Sequence, residues 1–112
     1  MADRHIRTVD PCVLELRALL ARLLGDEFVC LYHYGSRLEG DAAPDSDYDV
    51  ACVTRTALSA PQIGRLIDAS LDIQMARDVV FDLHFFTQRE LESAPLSYTP
   101  FVQEVKERGV LV

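Results

Sequence analysis

Residues 34–50 read YGSRLEGDAAPDSDYDV, and they connect two predicted strands. Phe28–Tyr34, which leads into them, is a continuous β-branched and aromatic run that is too short for a packed helix, so we expect a buried strand. Residues 40–46 are rich in turn-forming residues and predict a loop, with a short helix between that loop and Ser36. A second strand is expected over residues 47–54. The stretch therefore joins two strands through a loop.

Gly35 and Ser36 stand where the first strand ends and a helix is expected to begin. Backbone N–H groups at such a place, together with a hydroxyl, can bind a phosphate, and a glycine lets the backbone approach it closely. For an isolated Gly-Ser pair, however, a simple turn is the commoner explanation. The pair indicates a phosphate site only in combination with the acidic residues after the loop.

Asp47 and Asp49 follow the loop at a spacing of two. In a strand this spacing puts both carboxylates on one face, while Tyr48 and Val50 point to the other. Like charges side by side destabilise a strand unless a cation lies between them, and Mg²⁺ prefers such oxygen ligands. The alternative is a strand that starts later and leaves Asp47 in a solvated loop.

A third carboxylate, Asp82, is the only acid in the predicted strand over residues 79–86. Burying this carboxylate without a partner would cost on the order of several kcal/mol of stability, or would force the group to be protonated. If this strand neighbours the second, Asp82 completes a cluster with Asp47 and Asp49 that holds two metal ions roughly 4 Å apart. One alternative is an edge strand that exposes Asp82 to water. Asp78 is the rival candidate if the strand begins earlier, but the flanks of Asp82 form strands better.

His84 and Tyr34 are two further residues near these acids in the predicted sheet. His84 lies two residues beyond Asp82 on the same strand face and could orient that carboxylate or contact a triphosphate, although a structural histidine is commoner. We expect Tyr34 to pack in the core with its hydroxyl at the surface.

Helices alternate with these strands along the chain. Apolar spacing and capping residues predict helices over Pro11–Leu24, over residues 60–75 after a capping box at Ser59, and over Pro100–Arg108, with one helical turn near Glu90. Residues 110–112 add a short edge strand. The pattern predicts an α/β or α+β fold with a small sheet layered with helices.

The composition limits the function. The 112 residues, 49% of them apolar, suit a single domain over residues 1–112 with no room for a second one that holds a substrate. A net charge of -7 argues against direct nucleic-acid binding, which depends on cations that neutralise phosphates. Three cysteines without a CxxC pair favour a reducing cytoplasm, and no apolar run approaches the roughly 20 residues that span a membrane.

Together these residues resemble the minimal nucleotidyltransferases, the smallest members of the polymerase-β-like superfamily. The family motif is Gly-Ser, ten residues, then Asp-x-Asp, and this chain matches it without a gap from Gly35 to Asp49. Gly40 and Ser46 also stand where the family's common pattern has them, and Asp82 corresponds to the third acid on a later strand. The pair Leu38 and Glu39 departs from the pattern, because the family often has a small residue and an arginine there.

The resemblance implies a nucleotidyltransferase fold, with a small mixed sheet of three to four strands flanked by helices, and an enzyme that uses Mg²⁺ and ATP. The implied nucleotide-binding residues are Gly35, Ser36, Arg37 and Ser46. The implied catalytic and metal-binding residues, for two ions per site, are Asp47, Asp49 and Asp82. Asp82 would also act as the base toward an acceptor hydroxyl.

The resemblance also suggests a partner. Minimal members are often antitoxins paired with a HEPN-domain ribonuclease toxin, which they silence by attaching AMP to a toxin tyrosine. We expect that function here. The chain could form a homo-oligomer or a hetero-oligomer with the toxin, and the sequence does not choose between them. The alternatives are an antitoxin that acts only by forming a complex and an adenylyltransferase for a small aminoglycoside-like acceptor, for which the chain is short.

Overall fold

The computed structural model describes residues 10–35, 47–93 and 98–112. Within these ranges the elements are, in order, α1 (Pro11–Leu24), one 3-10 turn (Gly25–Glu27), β1 (Phe28–Tyr34), β2 (Tyr48–Thr54), α2 (Ala60–Arg77), β3 (Phe81–Thr87), α3 (Gln88–Glu92), α4 (Pro100–Arg108) and β4 (Val110–Leu111). The predicted loop over residues 40–46, the short helix before it, and the side chains of Ser36, Arg37 and Ser46 lie outside the described residues.

The predicted helix starts are confirmed by their caps. Asp10 caps α1 by accepting a hydrogen bond from the backbone N–H of Cys12 at 2.8 Å. Ser59 and Gln62 form the predicted capping box at the start of α2. Each cap satisfies N–H groups that a helix start leaves without a partner. These local bonds explain why the starts were predictable from sequence.

The end of α2 differs from the prediction. The helix runs to Arg77, two residues past the predicted end at Met75, and stops at Asp78. Asp78 adopts a left-handed backbone with φ 55° and donates its N–H to the carbonyl of Gln74. Aspartate tolerates this conformation better than most residues do. As a consequence β3 begins only at Phe81, and Asp78 lies outside it.

The four strands form one mixed sheet in the order β3-β2-β1-β4. β1 is antiparallel to β2 and to β4, whereas β2 and β3 run parallel. A parallel pair needs a long crossover, and α2 supplies it. The sheet therefore confirms the predicted mixed sheet of three to four strands flanked by helices.

Helices cover both faces of the sheet. The α1/α2 face carries Tyr48, Val50 and Cys52 of β2, which pack with buried side chains of α1 and α2. The α3/α4 face carries the alternate β2 residues, among them Ala51 and Val53, which pack against α3 and α4. The period of two along a strand produces this division. Consecutive residues of β2 therefore belong to different layers.

Candidate active site

Three side chains lie in one row across the sheet, where β1 ends and β2 and β3 begin. Asp49 pairs with Tyr34 of β1 on one side and with Asp82 of β3 on the other. By strand alternation all three belong to the α3/α4 face. The structure thus brings together two of the predicted acids, Asp49 and Asp82, and confirms that their strands are neighbours.

The carboxyl group of Asp49 lies in an unfavourable environment for its charge. Its pKa is raised, first by burial and then by the neighbouring carboxylate of Asp82, which is close enough to share a hydrogen bond with it. Asp47 adds a further negative charge, and His84 offsets part of the effect. Two carboxylates that compete in this way are relieved by a shared proton or by a cation.

The backbone of Gly35 packs directly against the Asp49 carboxylate. Gly35 has φ 87°, and a Cβ built on it would overlap an oxygen of Asp49 and lie 2.9 Å from its Cγ. Both the positive φ and the close approach exclude any larger residue. The backbone at the end of β1 is therefore held against Asp49, one member of the acid pair.

Asp82 is more exposed than the sequence predicted. The alternative of an edge strand that exposes Asp82 holds, because β3 lies at the edge of the sheet among the described strands and the Asp82 side chain is 51% exposed. Nε2 of His84 lies 3.1 Å from Oδ1 of Asp82, and the His84 ring contacts the edge of Phe101 with centroids 5.0 Å apart. This contact places His84 where it can orient Asp82, a role that the sequence left as an alternative.

Asp47 lies outside β2. The β2–β3 ladder starts with the N–H of Tyr48, which donates to the carbonyl of Val80 at 2.8 Å, so Asp47 precedes the strand and is exposed. The alternative of a strand that starts late therefore holds. Within the described ranges no three His, Cys, Asp or Glu side chains are grouped so that they could hold a metal ion. The metal-binding role of all three acids stays a prediction.

The paired carboxylates nevertheless fit Mg²⁺ in their chemistry. Proteins hold this ion through one or two carboxylates, with phosphate oxygens and water completing the coordination. Asp49 and Asp82 supply two such groups, and they lie side by side on neighbouring parallel strands. Both residues could therefore bind the ion directly.

Sequence reasoning missed two features next to this site. Tyr34 is buried, with 5% of its surface exposed, and its hydroxyl finds no hydrogen-bond partner among the described residues, so the prediction of a surface hydroxyl is wrong. On the α1/α2 face, the hydroxyl of Tyr48 donates to Oδ2 of Asp10 at 2.8 Å. No local sequence pattern predicts either feature. Tyr34 packs against Phe101 of α4, and the bond from Tyr48 joins residues that are 38 positions apart along the chain.

Comparisons with known proteins identify a family and a shared fold. A family model described as a nucleotidyltransferase domain matches residues 15–112. Among solved structures, a chain from a crystal structure of a toxin-antitoxin with AMP-PNP matches with a TM-score of 0.59 and 22% identity. The match covers 89% of this chain and 68% of that chain, and at this identity it shows a shared fold. No curated protein matches significantly. None of the helices in the described ranges is long and apolar enough to cross a membrane.

Proposed function

The chain belongs to the nucleotidyltransferase domain family, and on that premise we propose that it transfers AMP from ATP to an acceptor hydroxyl with the help of Mg²⁺. The observation that carries the proposal is the register of Asp49 and Asp82 on neighbouring strands, with Gly35 packed against the acid pair. An aspartate pair beside a glycine turn is what a triphosphate with its metal requires.

The residues divide into two groups in this proposal. Asp47, Asp49 and Asp82 would hold the metal, while Gly35, Ser36, Arg37 and Ser46 would hold the triphosphate. Bound Mg²⁺ would neutralise charge on the phosphates.

The reaction needs no covalent enzyme intermediate. The acceptor oxygen forms a bond to the α-phosphorus, the bond from that phosphorus to the bridging oxygen breaks, and pyrophosphate leaves. Asp82 takes the proton of the acceptor hydroxyl. Its exposed position on an edge strand supports this role, because an acceptor on another molecule can reach it there.

For the acceptor we propose a tyrosine hydroxyl of a HEPN-type toxin, so that the chain acts as an antitoxin. The likeness to a toxin-antitoxin structure with AMP-PNP supports both the partner and the nucleotide. The net charge of -7 suits a protein partner better than RNA. Three free cysteines, at positions 12, 30 and 52, are consistent with a reducing cytoplasm as the place of action.

A non-catalytic antitoxin is the second candidate. The observation that favours it is that Asp47 precedes β2 and is exposed, so that the strands themselves hold only two of the three predicted ligands. In that case the chain would neutralise its partner by forming a complex, and the acids would be dispensable.

One experiment separates the two candidates. The chain is incubated with Mg²⁺, α-labelled ATP and the product of the neighbouring gene, and the partner's intact mass is measured. We expect the partner to gain AMP with the wild-type chain and not with an Asp49→Asn/Asp82→Asn double variant. A stable complex with no gain in mass would instead favour neutralisation by binding alone.

A further inference from the structure

The hydroxyl of Tyr34 is an unsatisfied polar group beside the acid pair. Its side chain is 95% buried and makes no hydrogen bond within the described ranges. Such a group is destabilising, and native structures contain few of them. A buried hydroxyl of this kind needs either a structural reason or a partner that the protein alone does not supply.

Acidic side chains surround this hydroxyl. Burial raises the pKa of Tyr34, and the charges of Asp49, Asp82 and Glu104 raise it further. A tyrosine hydroxyl is a hydrogen-bond donor. It is within electrostatic range of all three charges yet donates a hydrogen bond to none of these carboxylates.

The position of the hydroxyl is fixed by packing. The Tyr34 ring meets Phe101 of α4 edge to face, with centroids 5.5 Å apart, and Phe101 in turn contacts His84 and Phe86. Because Tyr34 pairs with Asp49 across the β1–β2 ladder, its side chain and the acid pair share one face of the sheet. The hydroxyl cannot turn to solvent without disrupting these contacts.

Two carboxylates cannot fill the coordination shell of a hard divalent cation. Mg²⁺ and Mn²⁺ favour octahedral oxygen coordination, so that a site with one or two carboxylates keeps several water ligands. Those waters need hydrogen-bond partners, and such outer partners orient the shell and tune the affinity. Tyr34 is the buried group beside the acid pair that lacks a partner among the described residues.

We propose that the Tyr34 hydroxyl hydrogen-bonds a water ligand of the cation held by Asp49 and Asp82, and so raises the affinity of the site for hydrated divalent cations. This inference rests on the proposed function, because it assumes that the acid pair binds a metal. Tyr34 is then a positioning residue, which touches neither nucleotide nor acceptor.

The test is Tyr34→Phe, measured with Mn²⁺ alone. Free Mn²⁺ is counted by electron paramagnetic resonance in titrations of the whole chain without nucleotide. We expect the dissociation constant to rise about 3- to 10-fold, the effect of one lost hydrogen bond. The melting temperature of the metal-free chain should stay unchanged or rise, because phenylalanine removes the unsatisfied hydroxyl.

Tyr32→Phe is the matched control. Tyr32 lies two residues earlier on β1 and on the same face, and its hydroxyl interacts with Cys30 and not with the acid pair. This variant should leave the Mn²⁺ affinity unchanged.

The remaining outcomes separate the inference from the proposed function. Equal affinity in the wild-type chain and Tyr34→Phe, with binding lost in Asp49→Asn/Asp82→Asn, would overturn the role of Tyr34 alone. Failure of the wild-type chain to bind Mn²⁺ at all would overturn the metal site and this inference together. A lower melting temperature in Tyr34→Phe, with unchanged affinity, would make the hydroxyl purely structural.

Discussion

The two faces of the sheet at β2 differ in the surroundings of their polar groups, although the β2 residues of the two faces alternate along one strand. On the α1/α2 face, Tyr48 is buried and its hydroxyl is hydrogen-bonded to Asp10. On the α3/α4 face, Asp49 lies against another carboxylate and the buried hydroxyl of Tyr34 has no partner in the described ranges. Both faces carry buried apolar side chains, and on our proposal the α3/α4 face also holds its unsatisfied groups in place for a ligand. Departures from local rules of this kind are typical of functional sites.

Gly35→Ala should have the largest effect on stability and on nucleotide transfer, because it acts directly on Asp49 on the α3/α4 face. The new Cβ would overlap the Asp49 carboxylate and force a strained φ of 87° on alanine. We expect a loss of about 1 kcal/mol or more in the free energy of unfolding. Displacement of the carboxylate by about 1 Å should reduce nucleotide transfer about 100-fold. Urea unfolding and the partner mass assay measure the two effects.

Gly64→Ala provides the matched control for that variant. Gly64 lies in α2, and a Cβ there meets nothing within 4 Å. This substitution should stabilise the chain by about 0.5–1 kcal/mol and leave transfer unchanged. If both glycine variants behaved alike, the close contact at Gly35 would have no functional meaning.

Tyr48→Phe should have a smaller effect on the free energy of unfolding than Gly35→Ala. Unlike Tyr34→Phe, it should destabilise the chain. It removes the hydrogen bond from Tyr48 to Asp10, and we expect a loss of about 0.5–1.5 kcal/mol in the free energy of unfolding. Tyr34→Phe removes a hydroxyl that has no such bond and should not destabilise the metal-free chain. Equal destabilisation by the two variants in urea unfolding would remove the difference between the faces.

The pH dependence of stability should show the smallest effect, with opposite signs for the two faces. Burial favours protonation of Asp10, but hydrogen bonds from Tyr48 and Cys12 outweigh it and lower its pKa below 3.8. The stability due to Asp10 is therefore complete above pH 3.8 and is lost as the pH falls through its folded pKa. Burial and the charge of Asp82 raise the pKa of Asp49 above 3.8, so its contribution is lost as the pH rises through that folded value.

Asn variants separate these two contributions in urea unfolding between about pH 3 and 7. Asp49→Asn should gain stability relative to the wild-type chain as the pH rises above 3.8. Asp10→Asn, which keeps an N-cap residue, should lose stability relative to the wild-type chain as the pH rises toward 3.8, and the difference should stay constant above that pH. Parallel curves for all three chains would contradict the assigned pKa directions.

Local signals predicted much of this fold. The caps at Asp10 and Ser59 fixed two helix starts, and apolar runs located β1 and β2 because both signals depend on near neighbours in the sequence. The assignment of Asp82 over Asp78 also followed from local strand preference. Features that depend on distant contacts were harder to predict. The exposure of Asp82 follows from the edge position of β3, and the start of β2 after Asp47 follows from the bond between Tyr48 and Val80.

The central claim is that Asp49 and Asp82 act together to bind a nucleoside triphosphate with Mg²⁺, and calorimetric titration with a non-hydrolysable ATP analogue tests it most directly. We predict binding to the wild-type chain only when Mg²⁺ is present. Binding should be absent in Asp49→Asn/Asp82→Asn, a variant that should be at least as stable because the repulsion between its carboxylates is gone. Equal affinity in the two chains, with Mg²⁺ present, would contradict the account.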